Sequence, residues 1–199
     1  MQNLNKIINM KNILASKSPR RKELLNQIGF EFSVISAEII EYENNNIPPE
    51  ALTEDLARKK ALKIAQNHED KIIIGADTLV IFDDKIIGKP KNKKESYDIL
   101  RVLSGKTHEV ITGVSIIKLN EKIDFTFNER TFVSIISITD EDVISYIDHF
   151  KPYDKSGSYG IQDGFSIYIS NINGCYYNVM GFPLSSFVKN YRSMFKYKP

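Results

Sequence analysis

Ser16-Lys17-Ser18-Pro19-Arg20-Arg21-Lys22 crowds basic side chains around the start of a helix. Ser18 has the chemistry of an N-cap and Pro19 that of a first helical residue. A helix N-terminus already carries partial positive charge and unpaired N–H groups. Arg20, Arg21 and Lys22 in that first turn are therefore of the wrong sign for helix stability. They make sense where an anion binds: backbone N–H groups, the Ser16 hydroxyl and two guanidinium groups suit a chain of phosphates. A basic turn splayed into water is the plainer alternative.

Asp77 is the second candidate, inside the apolar stretch Ile72 to Phe82. A carboxylate there is costly unless it is paired, hydrogen-bonded or metal-bound. Gly75 and Ala76 beside it predict room for a ligand to approach the backbone. Such a carboxylate suits holding a divalent metal and activating water; an Asp bonded to local N–H groups at a strand end is the alternative. In Gly88-Lys89-Pro90 the proline biases Lys89 toward an extended backbone, which suits a phosphate contact or an ordinary surface turn. In Asp154-Lys155-Ser156-Gly157-Ser158-Tyr159-Gly160-Ile161-Gln162, two glycines space out Lys155, Tyr159 and Gln162. The Gln162 amide both donates and accepts, matching the N3–H and carbonyl edge of uracil or thymine; a loop with an incidental Gln is the alternative. His68, His108 and His149 have no metal-ligand spacing, and no G-x-S-x-G or P-loop signature is present.

The elements that must position these residues read as an alternation of strands and helices. Lys11 to Ala15 is a short strand, followed by the helix from Ser18 with Leu24, Leu25 and Ile28 on its apolar face and Gly29 as its stop. Phe30 to Ala37 reads as a second strand, and 44–49 as a loop rich in Asn and Pro. Leu52, Leu56, Ala57, Ala61, Ile64 and Ala65 recur at helical spacing over 50–67. Ile72 to Phe82 is apolar on both faces, as a central strand is, and Asp83-Asp84 turns the chain. Ser96 to Leu103 is helical, closed by Gly105. From His108 to Ser137, β-branched and aromatic residues form two long antiparallel strands broken at Asn120-Glu121. Thr139 starts a helix ending near Phe150. Gly164 to Val179 reads as a hairpin turning at 171–174, and Pro183 opens a final helix. The pattern predicts an α/β fold with a mixed sheet, one domain with two lobes.

Composition narrows the function classes. The 199 residues hold 27 Lys and Arg against 25 Asp and Glu, a net charge of +2, which argues against nucleic acid as the primary partner. One cysteine, Cys175, excludes an intrachain disulfide and fits a reducing, cytoplasmic setting. No apolar run reaches the length of a membrane span. Residues 1–10 are expected to be a disordered extension before a domain over 11–199, with Met10 as an alternative start. The sequence does not fix the oligomeric state, and a homodimer stays open.

Taken together, these stretches resemble the Maf family of nucleotide pyrophosphatases over Lys11 to about Val188. The resemblance is carried by Ile13-Leu14-Ala15-Ser16, Ser18-Pro19-Arg20-Arg21, Gly75-Ala76-Asp77-Thr78, Gly88-Lys89-Pro90, Leu103-Ser104-Gly105-Lys106-Thr107-His108, the 154–162 loop and Val179-Met180-Gly181-Phe182-Pro183-Leu184. It implies a mixed sheet in two lobes around a cleft, similar to the inosine triphosphate pyrophosphatases. It also implies hydrolysis between the α- and β-phosphates with Mg²⁺ or Mn²⁺. Asp77 then matches the family's proposed general base, Glu41 a second acidic residue at the metal, and Lys60 and Lys89 lysines near the triphosphate. Arg20, Thr78 and Gln162 match the branch acting on dTTP and UTP rather than the one resembling 7-methyl-GTP pyrophosphatases, which implies a pyrimidine nucleotide substrate, modified bases included. Val133-Ser134-Ile135-Ile136 departs from the family's Val-Thr-Phe-Arg pattern, and Lys17 stands where small residues are common. The other classes weighed are a regulator binding nucleic acid or a division protein, and a nucleotidyltransferase needing a second substrate.

Overall fold

The computed structural model describes residues 12–40, 42 and 47–195. The expected N-terminal extension and Glu41 lie outside the described residues.

The chain runs β1 (Asn12–Leu14), α1 (Pro19–Gln27), β2 (Phe32–Val34), α2 (Pro49–Ala65), β3 (Ile72–Phe82), β4 (Lys85–Ile87) and α3 (Lys93–Leu103). It continues through β5 (Thr107–Lys118), β6 (Ile123–Ile135), α4 (Asp140–Phe150), β7 (Ile169–Asn173), α5 (Tyr176–Val179) and α6 (Leu184–Met194). The strands form one sheet in the order β2-β1-β3-β5-β6-β7, with β4 also paired to β3. β1 is parallel to β2 and β3, and the other pairings are antiparallel. The expected α/β fold with a mixed sheet is the one observed.

Local chemistry accounts for most boundaries. The Ser18 side chain accepts from the Arg21 N–H, with Pro19 as the first helical residue, and α1 ends before Gly29 at φ 67°. Helix α3 starts three residues earlier than the apolar periodicity predicts, because Asn92 caps it by accepting from the Glu95 N–H at 3.0 Å. Thr139 caps α4 in the same way through the Asp142 N–H. The expected hairpin over Gly164 to Val179 is not formed. Ile169–Asn173 pairs with β6 instead, and the chain then turns into the short helix α5. Thr131 on β6 grips that junction: its hydroxyl donates to the Cys175 carbonyl at 3.1 Å and accepts from the Cys175 N–H at 3.0 Å.

The two faces of the sheet are covered unequally. Ile72, Ile74, Ala76 and Val80 of β3 face α1, α3, α4 and α6 through Leu24, Leu25, Leu100, Leu103, Ile147 and Phe187. The alternate residues Ile73, Leu79 and Ile81 face α2 through Ala61, Ile64, Leu52 and Leu56. Helix α2 lies unusually close. A Cβ on Gly75 would come within 2.2 Å of the Ala57 carbonyl oxygen, and one on Gly113 within 2.4 Å of the Thr53 carbonyl. The space beside Gly75, expected to admit a ligand, is filled by this helix.

Candidate active site

From β1 the chain passes to β2 on one side and later returns to β3 on the other. Loops diverge at such a switch point and leave a crevice beyond the strand ends. A cleft of about 510 Å³ lies there. β3 is paired with β1 only through Ile74 and with β4 only from Val80, so among the described residues Gly75 to Leu79 has no partner on that edge. Successive residues point to opposite faces of a strand. Asp77 and Thr78 nevertheless both line the cleft, because it opens onto this unpaired edge.

Asp77 is not a solitary carboxylate. Lys60 of α2 donates to its Oδ1 at 2.6 Å, and both residues are buried. The close approach at Gly75 and Gly113 brings the helix near enough for a lysine to end on the strand. A buried pair of this kind satisfies the charge that the sequence places in an apolar strand.

On the opposite face, Arg21 folds inward. Its Nε donates to the Gly181 carbonyl at 2.9 Å, Nη1 to Ser16 Oγ at 3.1 Å and Nη2 to Thr78 Oγ1 at 3.0 Å. Ser16 Oγ also accepts from the Ser18 N–H at 3.2 Å. Thr78 is 3.0 Å from the Thr112 hydroxyl across the strand pair. Arg20 turns the other way, donating from Nη1 to Asp154 Oδ2 at 2.7 Å. The basic turn is therefore not splayed into water at its two arginines, whereas Lys17 and Lys22 are exposed.

Lys89, Lys155 and Gln162 complete the lining from the far wall. Lys155 lies 2.9 Å from Asp154 Oδ1. Burial alone would raise the Asp154 carboxyl, but hydrogen bonds from Lys155 and Arg20 outweigh it and hold the group below the usual carboxylate range. The 154–162 loop passes through left-handed backbone at Gly157 and Ser158, φ 73° and 61°. Ser158 is 2.5 Å from the Ser96 hydroxyl, and the Gly160 N–H donates to the Tyr146 hydroxyl. The Tyr159 hydroxyl is 2.7 Å from His108 Nε2. Burial drives the His108 imidazole down to about 4, so it is neutral at ordinary pH.

Every described residue singled out as a substrate or catalytic group, from Ser16 to Gln162, lines this one cleft. Sequence reasoning missed Asp154 as a partner of Arg20, and it missed Ser36 and Glu38, which line the wall beside Ser16. Their signal is weak: a short polar stretch after β2 resembles any loop. Among the described residues, no group of three His, Cys, Asp or Glu side chains forms a metal cluster. No described helix is long and apolar enough to cross a membrane.

Comparisons with known proteins add to this geometry. The chain is similar to a dTTP/UTP pyrophosphatase of Bacillus anthracis, with 46% identity over 177 residues, covering 89% of this chain and 92% of the relative. A Bacillus cereus protein of the same name is similar to the same extent. Among solved structures it is similar to a nucleoside-triphosphatase / dITP/XTP pyrophosphatase from Mycobacterium abscessus. That likeness covers 92% of this chain and 95% of the other, at 14% identity and a TM-score of 0.44. The model of the Maf-like protein family matches residues 11–194, so the chain belongs to the Maf family.

Proposed function

We propose that the protein is a nucleoside triphosphate pyrophosphatase that hydrolyses dTTP and UTP, and pyrimidine nucleotides with the same base edge, to the monophosphate and pyrophosphate. Its similarity to relatives named dTTP/UTP pyrophosphatase over nine-tenths of the chain supports this activity. The observation that carries it is one cleft lined together by the buried Asp77–Lys60 pair, the cationic start of α1 and the amide-bearing 154–162 loop.

Asp77 accepts a proton from the attacking water, whose oxygen bonds to the α-phosphorus as the bond to the bridging oxygen toward the β-phosphate breaks. Arg21, held beside Ser16 and Thr78, faces the phosphates together with Lys60, Lys89 and Lys155, where negative charge grows on the departing pyrophosphate. Gln162 reads the base edge, with Arg20 and Thr78 shaping its site. A Mg²⁺ or Mn²⁺ ion fits the hard carboxylate oxygens of Asp77, since such ions are commonly held by one or two carboxylates with phosphates and water completing the shell. Asp77 and Glu41 would hold it, and it would supply Lewis-acid stabilisation of phosphate charge. The single free Cys175 fits a cytoplasmic setting for this reaction.

The test is a panel of nucleoside triphosphates with Mg²⁺ or Mn²⁺, scoring pyrophosphate against orthophosphate release. Pyrophosphate from dTTP and UTP, at rates above those for purines, is the expected result. Orthophosphate release, or no turnover of any pyrimidine, would sink this activity.

A further inference from the structure

Helix α1 and the 154–162 loop face each other across the mouth of the cleft, and an ion pair joins them. Arg20 donates to the Asp154 carboxylate at 2.7 Å and, more weakly, to the Asp154 carbonyl at 3.5 Å. Lys155 holds the second carboxylate oxygen at 2.9 Å, so both oxygens of Asp154 are engaged by cations. The rest of the loop is rooted elsewhere. Ser158 bonds to Ser96 on α3, Tyr159 to His108 on β5, and the Gly160 N–H to Tyr146 on α4. The Arg20–Asp154 contact, spanning 134 residues of sequence, links the phosphate-binding end of the cleft to the loop that carries Gln162.

We propose that Asp154 is a positioning residue for base selection: by accepting from Arg20 it holds that guanidinium in one place beside the base site, against the separately rooted 154–162 loop that carries Gln162. The inference rests on the pyrimidine nucleotide activity above. With Arg20 held in place, its guanidinium and the Gln162 amide present one fixed pattern to the base. With the clamp removed Arg20 is free to turn away, and the preference for a pyrimidine over a purine weakens. Selection of this kind is a difference between two substrates and is read as a ratio of specificity constants.

The experiment compares dTTP with dGTP in wild type, Asp154→Ala, Asp154→Asn, Asp154→Glu, Arg20→Ala and the Arg20→Ala/Asp154→Ala double variant, with melting temperatures recorded for each. Asp154→Ala and Asp154→Asn should lower the dTTP-to-dGTP ratio roughly 5-fold, which is about 1 kcal/mol of coupling at 1.4 kcal/mol per decade. The loss should fall on KM more than on kcat. Asp154→Glu should recover most of the ratio, and the double variant should lose no more than the worse single. Added salt should lower the ratio in wild type, because a half-exposed pair is screened, and should leave it flat in Asp154→Ala. The salt arm uses the unaltered chain, so a variant that folds poorly does not remove the test. An unchanged ratio in well-folded Asp154→Ala, additive losses in the double variant, or a salt-independent wild-type ratio would overturn the clamp. Absence of pyrophosphate release from dTTP and UTP by wild type would instead overturn the activity on which the clamp rests.

Discussion

Lys60–Asp77 and Arg20–Asp154 are cation–carboxylate contacts of nearly equal length, 2.6 and 2.7 Å, at two ends of one cleft. Their surroundings differ. Both side chains of the first pair are 9% exposed, whereas those of the second are 22% and 57% exposed. Coulomb attraction and desolvation cost both grow steeply as water is removed. An exposed pair of the second kind is worth at most about 1 kcal/mol. The difference separates two tasks. The end that would perform hydrolysis is held by groups that cannot change partner cheaply, while the end that would choose the base is held by groups that can yield.

The largest expected effect is at the buried end. Asp77→Asn should cut kcat by about 10²–10⁴, the usual worth of a positioned general base. The amide is the same size, so the far-ultraviolet circular dichroism spectrum should stay native. Near wild-type turnover in a folded variant would remove Asp77 from the chemistry. Lys60→Met follows. Removing one partner strands a buried carboxylate, and urea unfolding should show a loss of about 3–5 kcal/mol. A loss below 1 kcal/mol would mean that water reaches Asp77, and the contrast between the two pairs would collapse.

The third test asks whether the yielding end has a rigid root. His108 lies under the loop against Tyr159, and burial holds its imidazole at about 4 instead of the ordinary 6.5. An unfolded chain takes up this proton near 6.5, while the folded chain resists until about 4. The stability from His108 is therefore complete above pH 6.5 and is lost as the pH falls toward 4. At 1.36 kcal/mol per unit the loss is roughly 3 kcal/mol. Urea unfolding of wild type and His108→Phe between pH 7.5 and 4 should show a steeper decline in wild type. Parallel declines would show that the ring is hydrated and that the loop is yielding throughout.

Much of this arrangement was legible because its signals are local. The Ser18-Pro19 cap, the two-faced apolar strand at Ile72 to Phe82 and the paired strands β5 and β6 are each written in adjacent residues. What was not legible depends on distance. Lys60 reaches Asp77 only because Gly75 and Gly113 let α2 settle on the strands, whereas the sequence alone suggests room for a ligand at Gly75. Asp154 stands in a conspicuous loop, but its partner is 134 residues away. The run after Gly164 has the apolar character of a hairpin. Its strand pairs with β6 because Thr131 fixes Cys175 there, a contact that no periodicity announces.

The smallest effect, and the sharpest probe of the yielding end, is Gln162→Glu. Gln162 is exposed on the cleft wall, so the substitution costs little stability. An amide donates to a pyrimidine carbonyl and accepts from N3–H, whereas an ionised carboxylate only accepts. Facing thymine, Glu would set a negative oxygen against a carbonyl oxygen. The variant should lose about 10-fold in kcat/KM for dTTP and UTP, and the gap to 7-methyl-GTP should narrow, since guanine offers two donors to a carboxylate. The loss should be larger than the gain, because Arg20 and Thr78 still shape the site around the smaller base. The measurement is the ratio of specificity constants for dTTP and 7-methyl-GTP in wild type and variant. If that ratio stays put, Gln162 does not read the base. If it shifts in wild-type Asp154 but not in Asp154→Ala, the amide reads the base only while Asp154 holds Arg20 in place. That would tie an exposed residue of the site to the half-exposed pair across from it.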